Sequence, residues 1–220
     1  MCSGPRAGFH ALSGRSNIAP MEDRRRLPAF VGRLPRTADA LAYAERHHAG
    51  QTRAADGADF IEHPLEVASL LYDSGAPDHV VAAGVLHDTI EKTDAAAPDL
   101  RRRFGARITN LVLAVTDDPA ISDVAARKSA LIAQVARAGD EALMVFAADK
   151  VSKVRELRLR ALSANGGGAR KYARSLAYFG DCLRMLEERI PDSSLVALLR
   201  AELATSAGAR LGVAAASISP

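Results

Sequence analysis

The sequence predicts an all-α fold, and three observations carry that prediction. Its apolar residues are mostly Ala, Leu and Val, with aromatics at 5% and no Trp within a hydrophobic share of 48%; Ala and Leu favour helix. No stretch alternates apolar and polar residues at period two over a useful length, and no internal repeat occurs. Helix starts and stops recur at short intervals, with Pro at starts and Gly near ends. The 220 residues can hold one sizeable core, and the short connections predict a compact helical bundle.

Residues 1–36 are expected to form a disordered basic leader. Seven arginines (Arg6, Arg15, Arg24, Arg25, Arg26, Arg33, Arg36) face only Glu22 and Asp23, a local charge of +5. Taking these from the 29 basic and 26 acidic residues leaves 22 and 24 in residues 37–220, a charge of −2. The net charge of +3 therefore belongs to the leader, and the domain gives no reason to expect specific nucleic-acid binding. Few apolar residues fall in periodic order there, so the segment is expected to add little stability.

The domain is expected over 37–205. Thr37 is the expected N-cap of a helix over Ala38–His48, and Ala49–Ile61, with two glycines and two aspartates, reads as a loop. Pro64 starts a helix over Leu65–Asp73, and Pro77-Asp78 opens the helix that carries His87-Asp88. Thr93–Pro98 leads to helices over Asp99–Phe104 and Ala106–Thr116, split at Gly105. Asp123–Ala138 is amphipathic, and Gly139-Asp140 ends it and caps Glu141–Ser163. Asn165-Gly166-Gly167-Gly168 reads as a flexible loop, Lys171–Arg189 and Ser193–Thr205 as the last helices, and 206–220 as a flexible tail. Cys2 and Cys182 have no ligand or redox spacing. No apolar run reaches membrane-spanning length and no secretory pattern opens the chain, so a cytoplasmic protein without a membrane partner is expected. Nothing in the sequence specifies an oligomeric state.

The stretch richest in chemistry is His87-Asp88, which follows the apolar run Val80–Leu86. A carboxylate there is costly to desolvate without a partner, and a bound cation is the simplest one. Glu91 returns to within about 40° of the His87 face on a continuous helix, in reach as a general acid or base. The alternative is a solvated helix end. His63 precedes the helix-starting Pro64 and could be a helix cap or a ligand. Asp149 follows the apolar run Leu143–Ala148 and again calls for a cation or donors. Gln51 and Arg53 lie on the loop before His63 and are expected to bind substrate, where a guanidinium could meet a phosphate or stack on a base.

Taken together, these segments resemble a known family. His48-Ala49-Gly50-Gln51-Thr52-Arg53, Gly57, Phe60-Ile61-Glu62-His63-Pro64-Leu65, Leu86-His87-Asp88-Thr89-Ile90-Glu91, Phe104-Gly105, Val115-Thr116 and Ala148-Asp149-Lys150 occur in the order of HD-domain phosphohydrolases. More narrowly, the chain resembles the RelA/SpoT-type hydrolase domain and the small alarmone hydrolases, over about residues 38–190. The resemblance implies a compact HD-domain helical bundle, with His63, His87, Asp88 and Asp149 as ligands of Mn²⁺ or another divalent metal. It implies removal of the 3′-pyrophosphate of guanosine tetra- or pentaphosphate, with Glu91 handling the proton of an activated water and Arg53 packing on the base. A nucleotide polyphosphate is the expected partner, and the alternative within the same chemistry is an HD phosphohydrolase of another nucleotide.

The chain departs from that pattern at Lys92, where the family has the second residue of an acidic pair, and at Lys153, where it has Asn. The loop also holds one extra residue between Gln51 and Gly57, and Ala54 replaces its second basic residue. Lys92 and Lys153 each lie four residues after a ligand Asp, on the same helix face. They could grip a phosphate, Lys92 beside the reacting group and Lys153 along the substrate. They could instead pair with Asp88 and Asp149 and leave a non-catalytic nucleotide-binding or regulatory domain. They could also extend to solvent and touch nothing.

Overall fold

The protein is represented by a computed structural model that describes residues 27–163 and 169–216. Apart from an isolated bridge between Thr52 and Asp59, every regular element among these residues is helical. After a 3₁₀ turn at Val31–Arg33 come α1 (Pro35–His47), α2 (Glu62–Asp73), α3 (Asp78–Leu86) and the short α4 (Thr89–Lys92). They are followed by α5 (Ala97–Ala114), α6 (Val124–Val135), α7 (Asp140–Ser163), α8 (Ala169–Arg189) and α9 (Ser194–Ala216). The all-α prediction holds.

Two helices form the centre. α3 is apolar on every side and Val80 through Leu86 are all buried, as expected of a helix enclosed by neighbours. It packs on α1, α2, α5 and α7. α2 approaches so closely that a Cβ on Gly84 would lie 2.3 Å from Leu71 Cδ1 and 3.3 Å from Val67 Cγ1. α7 is the second axis: Ala142, Leu143 and the buried run Val145–Ala148, which continues into Asp149 and Lys150, lie on a helix that packs on α2, α8 and α9.

Several start and stop signals act as the sequence suggests. Gly105 breaks α5 with φ 81° and ψ 172°, outside helical space and open to glycine without strain. Asp123, expected as the first residue of its helix, lies just before α6 and caps it, its side chain accepting from Ala126 N at 2.7 Å. Thr37 behaves differently. It sits inside the first turn of α1, and its backbone N–H donates to Asp78 Oδ1 at 2.9 Å while Arg36 N–H donates to Asp78 Oδ2 at 3.0 Å. The exposed donors of one helix start are thus satisfied by a carboxylate from the start of another.

Order also begins earlier than Thr37. Phe30 and Val31 are buried in the core, and the Phe30 ring stacks on Tyr72 at 4.5 Å between centroids. The end of the expected leader is therefore part of the fold; residues 1–26 lie outside the described residues, as does the loop expected at 165–168. At the other end α9 continues to Ala216 instead of giving way to a tail after Thr205, and Tyr172 Oη donates to the Ser206 carbonyl at 2.9 Å.

Candidate metal centre

The sequence suggests one unbroken helix through His87-Asp88, but the chain bends there. His87 Nδ1 takes the Gly84 carbonyl at 2.7 Å, and Thr89 Oγ1 takes the Leu86 carbonyl at 2.6 Å. Both carbonyls would otherwise accept from residues four positions on, so the side chains end α3 and let α4 restart. The bend turns both His87 and Asp88 inward, where they are 4% and 2% exposed. His63 comes from the first turn of α2 and Asp149 from the middle of α7, also buried.

These four residues converge. His63 Nε2 lies 3.2 Å from His87 Nε2 and 3.2 Å from Asp149 Oδ1, and His87 Nε2 lies 3.3 Å from the same oxygen. Asp88 sits 3.5 Å from each imidazole, through Oδ2 to His63 and Oδ1 to His87. Atoms at neighbouring vertices around a cation with ligand distances of about 2.1–2.4 Å are separated by such lengths. His63, His87 and Asp149 each offer a ligand atom within 4.8 Å of one another, and Asp88 adds a fourth.

The donor chemistry fits a cation. A carbonyl only accepts, so the Gly84 contact keeps the proton of a neutral His87 on Nδ1 and leaves Nε2 as a lone pair. Asp88 Oδ2 makes no hydrogen bond, and Asp149 Oδ1 is in line with no donor although Lys153 Nζ lies 2.9 Å away. Lone pairs facing one another in a buried centre need a positive charge among them. Burial opposes charge on Asp88, but His87, Lys153 and His63 outweigh it and hold the carboxyl well below the usual range. Burial likewise opposes charge on Asp149, and Lys150 and Lys153 outweigh it. Burial pushes His63 down, whereas at His87 the neighbouring Asp88 and Asp149 overcome burial and push it up.

A cleft of about 330 Å³ opens onto the cluster, lined in part by His63, Asp88, Arg53, Phe60, Lys92, Lys153, Glu156 and Arg160. A larger hollow of about 430 Å³, which shares Arg53 with the cleft, includes none of the four cluster residues. Lys153 does not merely extend to solvent: its ammonium lies 2.9 Å from Asp149 Oδ1 and 3.9 Å from Asp88 Oδ1. Lys92 does not pair with Asp88. It lies 3.8 Å from Glu91 and 5.7 Å above the Phe60 ring, on the cleft wall. Glu91 is exposed beside it and is not among the cleft-lining residues. Arg53 lines the cleft while bound to Asp56. Gln51 does not line the cleft. Its side chain joins His48 Nδ1 (2.9 Å) to the Lys92 carbonyl (2.9 Å), fastening the loop to α4.

Sequence reasoning missed Lys150, Ser152, Glu66, Glu156 and Arg160. Lys150 Nζ is buried 2.6 Å from Asp149 Oδ2 and 4.2 Å from the Phe146 ring centroid. Ser152 stands three residues after Asp149 and Glu66 three after His63, a helical spacing that marks a shared face.

Against this geometry the comparisons with known proteins are specific. The HD domain family profile matches residues 40–174. The chain belongs to the HD-domain family. Human guanosine-3′,5′-bis(diphosphate) 3′-pyrophosphohydrolase MESH1 is 36% identical over 122 residues, 54% of this HD-domain chain and 68% of the human protein. GTP pyrophosphokinase of Streptomyces coelicolor is 38% identical over 122 residues, 54% of this chain but only 14% of that larger protein. Among solved structures, a metazoan ortholog of SpoT that hydrolyses ppGpp superposes with a TM-score of 0.69 at 24% identity, covering 79% of this chain and 96% of that one. A Listeria monocytogenes protein superposes with a TM-score of 0.59 at 25% identity, over 67% and 96%. The fold of both solved structures is therefore shared along nearly their whole length by 79% and 67% of this chain.

Proposed function

We propose that this HD domain is a divalent-metal-dependent phosphohydrolase that removes the 3′-pyrophosphate of guanosine tetra- or pentaphosphate. The observation that carries the reading is the convergence of His63, His87, Asp88 and Asp149 at the floor of a cleft whose walls bear Arg53, Lys92, Lys153 and Arg160. Similarity to proteins named for ppGpp hydrolysis supports the substrate. Two imidazoles and two carboxylates suit Mn²⁺, which favours oxygen and accepts nitrogen. When bound, the ion supplies Lewis acidity, acidifying water and polarising a phosphoryl oxygen.

The chain's own residues do the rest. His63 and His87 offer Nε2 lone pairs, and the two carboxylates offset the ion's charge. Lys153, at the junction of cluster and cleft, and Lys92, on the wall, take phosphate oxygens. Arg53 has a planar guanidinium that suits a base or a phosphate. Phe60 closes the wall over His63, with ring centroids 5.8 Å apart, and excludes water from one side of the ring. Glu91 follows Asp88 on α4 and is assigned to accept the water's proton after turning in from solvent. A nucleotide substrate implies a cytoplasmic location.

A second reading, nucleotide binding without turnover, is favoured by the Lys153 ammonium standing where it competes with a cation for Asp149. Purified protein with added Mn²⁺ and guanosine tetraphosphate separates the two. The first reading expects pyrophosphate release that is lost in His87→Asn and falls by about 10²-fold or more in Glu91→Gln. Tight nucleotide binding with no pyrophosphate release would establish the second.

A further inference from the structure

The two histidines of the cluster are oriented by different means. His87 is held by a backbone carbonyl, which cannot change character. His63 is held by a side-chain relay that crosses three helices. Its Nδ1 lies 2.9 Å from Ser152 Oγ on α7, and Ser152 Oγ donates to Glu66 Oε2 on α2 at 2.7 Å. Glu66 Oε1 accepts from Arg155 Nη1 at 2.9 Å. Arg155 Nε and Arg158 Nη1 each donate at 2.6 Å to Glu202 on α9.

Direction along this relay follows from proton count. A carboxylate gripped by a guanidinium only accepts, so the single hydroxyl proton of Ser152 goes to Glu66. The hydroxyl oxygen then faces His63 with lone pairs and must accept from Nδ1–H. The remaining nitrogen, Nε2, is left with its lone pair directed into the cluster. His63 and Ser152 are both 2% exposed, so no solvent competes for either end of their contact.

We infer that Ser152 and Glu66 are positioning residues that lock His63 in its Nδ1–H tautomer, and that the Arg155–Glu202 pair ties this lock to α9. The inference rests on the proposed metal centre for its purpose, but the tautomer itself does not depend on an ion. α9 begins at Ser194, beyond the stretch of residues 40–174 that the HD profile matches. The relay thus gives a helix outside that stretch a direct bearing on one ligand. Outer partners of this kind typically change metal affinity by about 10–100-fold when lost.

Long-range ¹H–¹⁵N spectra of the metal-free protein test it, with His63 assigned by the signals lost in His63→Asn. Wild type is expected to show Nδ1 protonated. Ser152→Ala should give mixed tautomers and at least about tenfold weaker Mn²⁺ binding by calorimetry. Ser152→Thr, which keeps the hydroxyl, should restore both, and Glu66→Ala should behave like Ser152→Ala. If Ser152→Ala keeps the pure Nδ1–H form and wild-type affinity, the inference is overturned. Equal falls in Tm for the Ala and Thr variants with an unchanged tautomer would reduce Ser152 to packing and overturn it too. If wild type binds no Mn²⁺, the metal reading fails, and the tautomer comparison still decides whether the relay sets the ring.

Discussion

Lys153 shows how much one side chain can alter a shared site. It contacts Asp149 and approaches Asp88, and both carboxylates raise its pKa against the effect of burial. Without an ion it neutralises two buried acids; with one it repels it. Lys153→Asn, the family's residue, should therefore change two quantities in opposite directions. Mn²⁺ affinity should rise by about tenfold, ~1.4 kcal/mol, while the metal-free protein loses about 1 kcal/mol, a figure kept small because the side chain is 30% exposed. If Lys153 also grips phosphate, KM should rise as metal binding tightens. Calorimetry, urea denaturation and steady-state kinetics read the three effects separately. Unchanged metal affinity would show that the ammonium leaves the cluster once an ion arrives.

At the scale of elements, Gly84 sets the α2–α3 distance, and α2 carries His63 while α3 delivers His87. A methyl group there meets Leu71 Cδ1 at 2.3 Å, and Leu71 is fully buried, so moving its side chain aside disturbs packed neighbours. Gly84→Ala should therefore destabilise by about 1–3 kcal/mol despite the better helix propensity of Ala. A denaturation midpoint at or above wild type would mean that Leu71 repacks freely. The elements were legible where a residue acts on its own neighbours, as with Pro77 before α3 and the Gly105 break. They were illegible where the partner is remote or a side chain competes with the backbone. Nothing local marks Asp78 as the cap of α1, or Phe30 as a partner for Tyr72. The bend at His87-Asp88 depends on side chains taking helix carbonyls, which the apolar pattern hides. The four cluster residues could be named from ligand-type side chains and the order of their motifs. Gln51 is expected among the substrate-binding residues, and its bond to the Lys92 carbonyl was illegible because it joins positions far apart in sequence.

In the whole molecule the cluster is a junction: His63 on α2, His87 and Asp88 between α3 and α4, and Asp149 on α7 meet only when the bundle is closed. The unfolded chain cannot assemble them, so an ion bound there stabilises the native state by mass action. At a free Mn²⁺ concentration 100-fold above Kd the gain is about 2.7 kcal/mol, which for a chain of this size raises Tm by roughly 5–10 °C. EDTA should reverse the rise. Asp149→Asn should remove it and also lower the Tm of the metal-free protein, since Lys150 then keeps a buried ammonium without its carboxylate. Lys150→Met removes that ammonium without touching a cluster residue. It should leave the Mn²⁺ shift at least as large as in wild type, since Asp149 keeps the oxygen that faces the imidazoles and loses a neighbouring positive charge that opposes the ion. Thermal unfolding of the three proteins with and without Mn²⁺ separates the roles. A wild-type Tm unmoved by saturating Mn²⁺, or an Asp149→Asn protein that shifts as far as wild type, would place metal binding somewhere other than this junction.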